Sequence, residues 1–357
     1  MMTKWLRQQI YIIRSVLAVL LLTACDIHQF PEEALPPDPE ELLNASLDMK
    51  HQTAMYVWEH FYDPTIGRVV ESKPNDGVDE QHPGTSMVYS PVQTEGFKHI
   101  TARIYKKGSL GAAVVTKEFY HDLWEGYDLE LPVTLVPGDY EAVVWSDLRE
   151  EENQNRYYEP TNFNSIKVNY DWYQANTDYR DAYRGRASFT IKKEGDRATV
   201  KMHRPMAKYE FITTDLSEFL ERETARRQLT TRATMDDYVV KIYYSTYCPS
   251  AYSAFDDRLE NSATGIGFTT QVTITGVSEA SLGFDYVFIN DIVDGGVQTT
   301  IVVYDLAGNT VAQSVQITVP LRRNHHTYLR GAFLTMNGSG GIGIDPGFNG
   351  DHNMTIH

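Results

Sequence analysis

The sequence predicts an all-β protein, mainly β with one short helix, arranged as two tandem β-sandwich domains. Two observations predict it. From about Thr53 to His357 the chain runs in short segments of alternating apolar and polar residues bounded by Gly, Pro, Asn and Asp, the pattern of sandwich strands. The length beyond residue 52 suits two domains of roughly 150 residues each, with the best break near Arg204-Pro205. Composition agrees: 357 residues with 42% hydrophobic and 22% charged content exclude a disordered chain and a polytopic membrane protein. Lys and Arg total 32 against 48 Asp and Glu, a net charge of -16 that repels nucleic acid and anionic head groups. Two cysteines can build neither a disulfide framework nor a thiolate zinc site.

Residues 1–24 read as a lipoprotein signal peptide. Lys4, Arg7 and Arg14 precede the apolar run Ser15–Leu22, which ends in Thr23-Ala24-Cys25. That run falls short of the roughly 20 residues a membrane-spanning helix needs. Leu22-Thr23-Ala24-Cys25 looks like a bacterial lipobox, so cleavage should expose Cys25 carrying diacylglycerol and an N-acyl chain. At about 0.8 kcal/mol per buried methylene, this is stable anchoring. Loss of the three basic residues takes the net charge to -19. Residues 25–52 follow as a lipidated tether, Pro-rich at Pro31, Pro36, Pro37 and Pro39, and extended there.

The expected N-terminal sandwich covers 53–204 and the C-terminal one 205–357. In the first, His99–Tyr105, Ala187–Lys193 and Ala198–His203 read as strands. Leu131–Leu135 and Asp139–Trp145 flank Pro137-Gly138, the residues of a type II turn, and predict a hairpin. Val143 and Trp145 share a face of that second strand, which puts Trp145 in the first domain's core. In the second, Lys208–Thr213, Val239–Ser245, Thr269–Thr275 and Phe284–Asn290 read as strands. Val297–Asp305 and Val311–Val319 form a hairpin across Gly308-Asn309, with Pro320 as the stop. One helix opens at Asp215, with Glu218 three residues on as a capping box and Leu216, Phe219 and Leu220 on one side. The basic, polar stretch Glu221–Thr234 should lie exposed. Cys248 reads as a buried small apolar residue.

Motifs of catalysis are missing: there is no HExxH, no phosphate loop, no GxSxG and no strand-linked GxGxxG, so no enzyme, cofactor or metal is expected. His325-His326 would point to opposite faces of a strand as surface residues. Asp345–Asp351 lacks the third ligand and the final Glu of a calcium loop and reads as a solvated turn. Trp172 and Tyr173 with Asp178 and Tyr179 could stack on sugar rings and accept hydroxyl bonds; alternatively they form a tyrosine-rich loop held by Arg180 and Arg184. That cluster is the possible binding site, for host or bacterial surface glycans.

Leu135–Asp147, Tyr157-Tyr158, Asn176–Tyr183 with Gly185, and Arg204–Phe211 together resemble the fimbrillin-like lipoproteins of the Bacteroidales, closer to their anchor and accessory subunits. Pro320–His325 and Gly331–Leu334 are similar to that group's last strand region. The resemblance implies outer-membrane export with the protein on the cell surface, two transthyretin-like sandwiches, and association with fimbrial subunits by strand addition. It also implies that shaft subunits lose their N-terminal segment to an arginine-specific protease. Between Cys25 and Arg68 the only basic side chain is Lys50, so such a protease finds no site in the tether. The expected function is a lipid-anchored fimbrial anchor or accessory subunit; a glycan-binding outer-membrane lipoprotein is the alternative.

Overall fold

The computed structural model describes residues 41–71, 86–88, 93–109, 111–152, 157–228, 230–290 and 296–336. The first half of the chain supplies β1 (Leu43–His51), β2 (Met55–Asp63), β3 (Arg68–Glu71), β4 (Ser86–Val88), β5 (Phe97–Lys106), β6 (Val115–Asp122), β7 (Leu129–Leu135), β8 (Gly138–Arg149), β9 (Tyr158–Glu159), β10 (Ile166–Val168), β11 (Ala182–Ile191) and β12 (Asp196–His203). The second supplies β13 (Met206–Thr213), the helix α1 (Leu216–Arg226), β14 (Tyr238–Tyr244), β15 (Cys248–Ser253), β16 (Arg258–Ala263), β17 (Gly267–Thr269), β18 (Thr273–Ile274), β19 (Ala280–Phe288), β20 (Val297–Asp305), β21 (Thr310–Gln313), β22 (Ile317–Val319) and β23 (His325–Gly331). The protein is all-β apart from one α-helix among the described residues.

These strands form four sheets. The first has the order β6-β5-β8-β11-β12-β1-β7, and its inward residues, among them Leu47, Met49, Ile100, Val133 and Val144, meet in one apolar core. The second, β18-β19-β13-β23-β2-β3 with β4 beside β2, faces a third in which β14 lies between β17 and β20. Between them lies the largest core, where Tyr209, Phe211, Ile242 and Ile301 pack with Leu216 and Phe219 of α1. The fourth sheet, β16-β15-β10-β9, draws two strands from each half of the chain. It covers a third core in which Val143 and Trp145 of β8 meet Met206 of β13 and Phe288 of β19.

Several expectations are corrected. Residues 43–51 are a strand inside a sheet, not tether. The signal was present, because Leu43, Ala45, Leu47 and Met49 are buried and Asn44 and Lys50 are exposed. Of the strands expected in the first sandwich, β2 pairs with β23, and β3 and β4 pair with β2. Around Pro137-Gly138 there is no hairpin: β7 pairs with β1, and β8 pairs with β5 and β11. The chain crosses between strands there, and the Tyr140 hydroxyl donates to the Val136 carbonyl at 2.7 Å, fixing the crossing.

Thr269–Thr275 breaks into β17 and β18, which belong to different sheets. The hairpin at Gly308 forms, with φ +85 there, a conformation natural to glycine. Its second strand is interrupted between β21 and β22, where the Ile301 amide donates to the Ser314 hydroxyl at 2.9 Å. Helix α1 buries Leu216, Phe219 and Leu220 as expected, but Asp215 makes no cap bond. Its carboxylate instead accepts the amides of Leu334 and Thr335.

Candidate functional site

The functional candidate is the seat of β1, the first strand among the described residues. β1 lies between two neighbours, parallel to β12 from Ala45↔Asp196 to His51↔Met202 and antiparallel to β7 from Leu43↔Leu135 to Met49↔Leu129. Both its edges are paired along most of its length, and Leu47 and Met49 have no solvent exposure. Three residues, Gln52, Thr53 and Ala54, carry the chain into β2 in the second sheet. There β23 lies between β2 and β13 and runs parallel to both.

A second crossing, from β12 into β13, passes the same point at Arg204. Its guanidinium donates to the carbonyls of Gln52, Thr53 and Ala54 at 3.3, 2.8 and 3.2 Å. It also reaches the Asn324 side chain at 2.9 Å, just before β23, and the Tyr183 hydroxyl at 2.6 Å. Its charge is met by Asp181 at 2.8 Å. Burial opposes that charge, but Asp181 and the surrounding hydroxyls raise the guanidinium's pKa above its usual value.

A neighbouring cluster joins the halves from the other side. Arg184 donates to the carbonyls of Ala254 and Phe255, and Arg186 reaches Phe255 at 2.7 Å. Asp257, in the turn between β15 and β16, is approached by Arg184, His203 and Arg323 at 3.5, 3.6 and 3.0 Å. Burial acts against its ionisation. Hydrogen bonds from His203 and Tyr252, with the two arginine charges, nevertheless hold its carboxyl well below the usual range.

Of the sequence candidates, Cys25 lies outside the described residues, as does the Asp345–Asp351 segment. Trp172 is exposed at 51%. Tyr173 and Asp178 are tied into the interior, and Tyr179 is half-buried. The Tyr173 hydroxyl bonds Asp285 and the Tyr173 ring lies under Arg180 at 4.2 Å. Asp178 accepts Lys208 at 2.7 Å and the Tyr286 hydroxyl at 2.6 Å. The Tyr179 hydroxyl donates to the Glu95 carbonyl at 3.2 Å.

His325 and His326 are both buried, not on the surface: the His325 ring lies tilted against that of Tyr56, 5.2 Å between centres, and His326 pairs with Glu210 at 3.1 Å. Cys248 is free and buried, as expected; burial pushes its thiol pKa up, which makes a reactive thiolate unfavourable. Arg204 and the β1 crossing were missed, although Arg204-Pro205 stood at the expected break. Among the described residues no group of His, Cys, Asp and Glu could hold a metal ion, and no helix is long and apolar enough to cross a membrane.

No curated protein matches the chain. Solved structures that it resembles include a candidate adhesin of Bacteroides thetaiotaomicron, 10% identical, with a TM-score of 0.42 over 77% of this chain and 81% of that one. The fimbrial anchor protein Mfa2 of Porphyromonas gingivalis is 10% identical, with a TM-score of 0.36 over 76% and 82%. A fimbrial assembly protein of Parabacteroides distasonis is 11% identical, with a TM-score of 0.36 over 81% and 91%. Likenesses this low carry no inference about function. A family model does match, over residues 88–357, and by it the chain belongs to the family of unknown function DUF6562.

Proposed function

We propose that this protein is a lipid-anchored cell-surface subunit of fimbrial anchor or accessory type, which joins fimbriae by β-strand addition. The observation that carries this reading is the seat of β1. The first described strand beyond the expected lipid site at Cys25 is paired on both sides within a sheet, so the chain is held in the fold from Leu43 on. The first arginine after Cys25 is Arg68, which opens β3, beyond both β1 and β2. An arginine-specific protease therefore has no site that would free the tether ahead of β1. A subunit that keeps its lipid and its first strand stays at the membrane and ends a fibre there, offering an edge or its C-terminal segment to a neighbour.

The test is membrane partition of the wild type against Cys25→Ala, together with N-terminal mapping of protein from sheared fibres. The expected result is loss of membrane association in the variant and a mature chain that begins at acylated Cys25 at the fibre base. Unchanged partition of the variant, or a new N-terminus between residues 45 and 70 with subunits along the shaft, overturns the reading.

A further inference from the structure

A chain fixed by its N-terminal end and joined to a partner farther on is pulled along its length, and the strand directions determine what that pull meets. Two routes carry tension from β1 toward β23. One is covalent, through residues 52–54 into β2. The other passes sideways from β1 to the parallel β12, whose far end continues through Arg204-Pro205 into β13. Both routes converge on β23, because β2 and β13 are its two neighbours.

All three of these strands are parallel. β2 meets β23 from Tyr56↔His325 to Phe61↔Arg330, and β13 meets it from Lys208↔His326 to Thr213↔Gly331. The pull arrives at the N-terminal ends of β2 and β13 and leaves at the C-terminal end of β23. Parallel strands drawn from opposite ends are loaded in shear, so every rung resists together. Strands drawn from the same end open one rung at a time.

Side chains reinforce the seat of β23: the Thr327 hydroxyl donates to the Pro320 carbonyl at 3.0 Å, and His326 pairs with Glu210. Arg204 binds the two incoming routes to each other and to Asn324 at the start of β23.

We propose that the protein has a further function, to carry tension between its N-terminal attachment and β23, its last described strand, with β23 as a shear clamp between β2 and β13. This rests on the anchored reading only for the direction of the pull. The property itself belongs to the strand order.

Optical-tweezers unfolding of the unlipidated chain 25–357 tests it, with DNA handles at the two chain ends. A second geometry moves the C-terminal handle to Lys193→Cys, in the turn next to the start of β1, where the Gly195 amide donates to the Asn44 carbonyl at 2.8 Å. That pull peels β1 from β12 rung by rung. Rupture forces reflect the unfolding barrier, and the end-to-end pull is expected to need about twofold more force or higher than the peeling pull.

Equal forces in the two geometries, or an end-to-end trace that first releases residues 52–204 at low force, overturn the clamp. Melting of the Lys193→Cys chain at the wild-type temperature establishes that it is folded. No lipid takes part, so failure of the membrane-partition test leaves the force result standing, and the converse also holds.

Discussion

Arg204 and Asp181 form a buried ion pair, 2.8 Å apart with side chains 3% and 7% exposed, at the point where the β1–β2 and β12–β13 connections pass. Asp181 closes the turn Asp178–Arg180 and Arg204 follows β12, so neither residue belongs to a local motif that would require the other. Burying such a pair has a desolvation cost; removing one partner is worse, because the other charge stays behind.

Arg204→Met is therefore expected to destabilise the fold by about 3–5 kcal/mol, read as a shift in the urea midpoint. Arg204→Lys should recover less than half of the loss, since an ammonium cannot span Asp181 and three carbonyls at once. A wild-type midpoint for Arg204→Met would show that the crossing holds without the arginine.

Residues 205–357 expressed alone should not fold. They lack β2, leaving β23 with one parallel neighbour, and they lack β9 and β10, half of the fourth sheet. Circular dichroism during heating is expected to show no cooperative transition. A sharp melt of the fragment would mean that the C-terminal half is a self-sufficient domain.

Trp145 has no solvent exposure and packs with Tyr158 and Phe288 at 5.6 and 6.2 Å between ring centres. Its indole donates to Asp147 at 2.9 Å. The core it fills is the one shared by the two halves, where the sequence placed it in the first domain's own core. Trp145→Ala should cost about 3–5 kcal/mol and lower the melting of the whole chain in a single transition. Two separated transitions in calorimetry would contradict a shared core.

Stability should fall as the solution is acidified through the histidine range. Burial holds His51 neutral down to about 3, with Lys98, Arg204 and His121 adding to the effect and Asp128 opposing it. Burial holds His60 neutral down to about 4 against the nearby Glu71. Both folded values lie below the unfolded 6.5, so beneath that pH the unfolded chain takes up protons that the fold refuses. The full stability is present above about pH 6.5, and each histidine should remove ~2 kcal/mol by pH 5. Denaturant titrations at pH 7.5 and pH 5 should show a smaller drop in the double variant His51→Phe, His60→Phe. An identical drop would assign the acid sensitivity to other groups.

The sequence by itself determined the all-β class, most strand positions, the apolar side of α1 and the burial of Trp145 and Cys248. Each of these depends on local alternation, which records whether a side chain faces a core. It could not tell which strand lies alongside which. Leu131–Leu135 and Asp139–Trp145 are neighbours in the chain with Pro137-Gly138 between them, yet they pair with different strands.

β1 had the right alternation, but prolines and acids upstream concealed it in an expected tether. Its partner β12 is 151 residues away, and β2 meets β23 across some 270. Only the tertiary structure decided those pairings, and with them Arg204's place at the β1–β2 and β12–β13 crossings. A parallel rung joins residues whose separation leaves no periodic trace in the chain, and burial of the whole set together selects it.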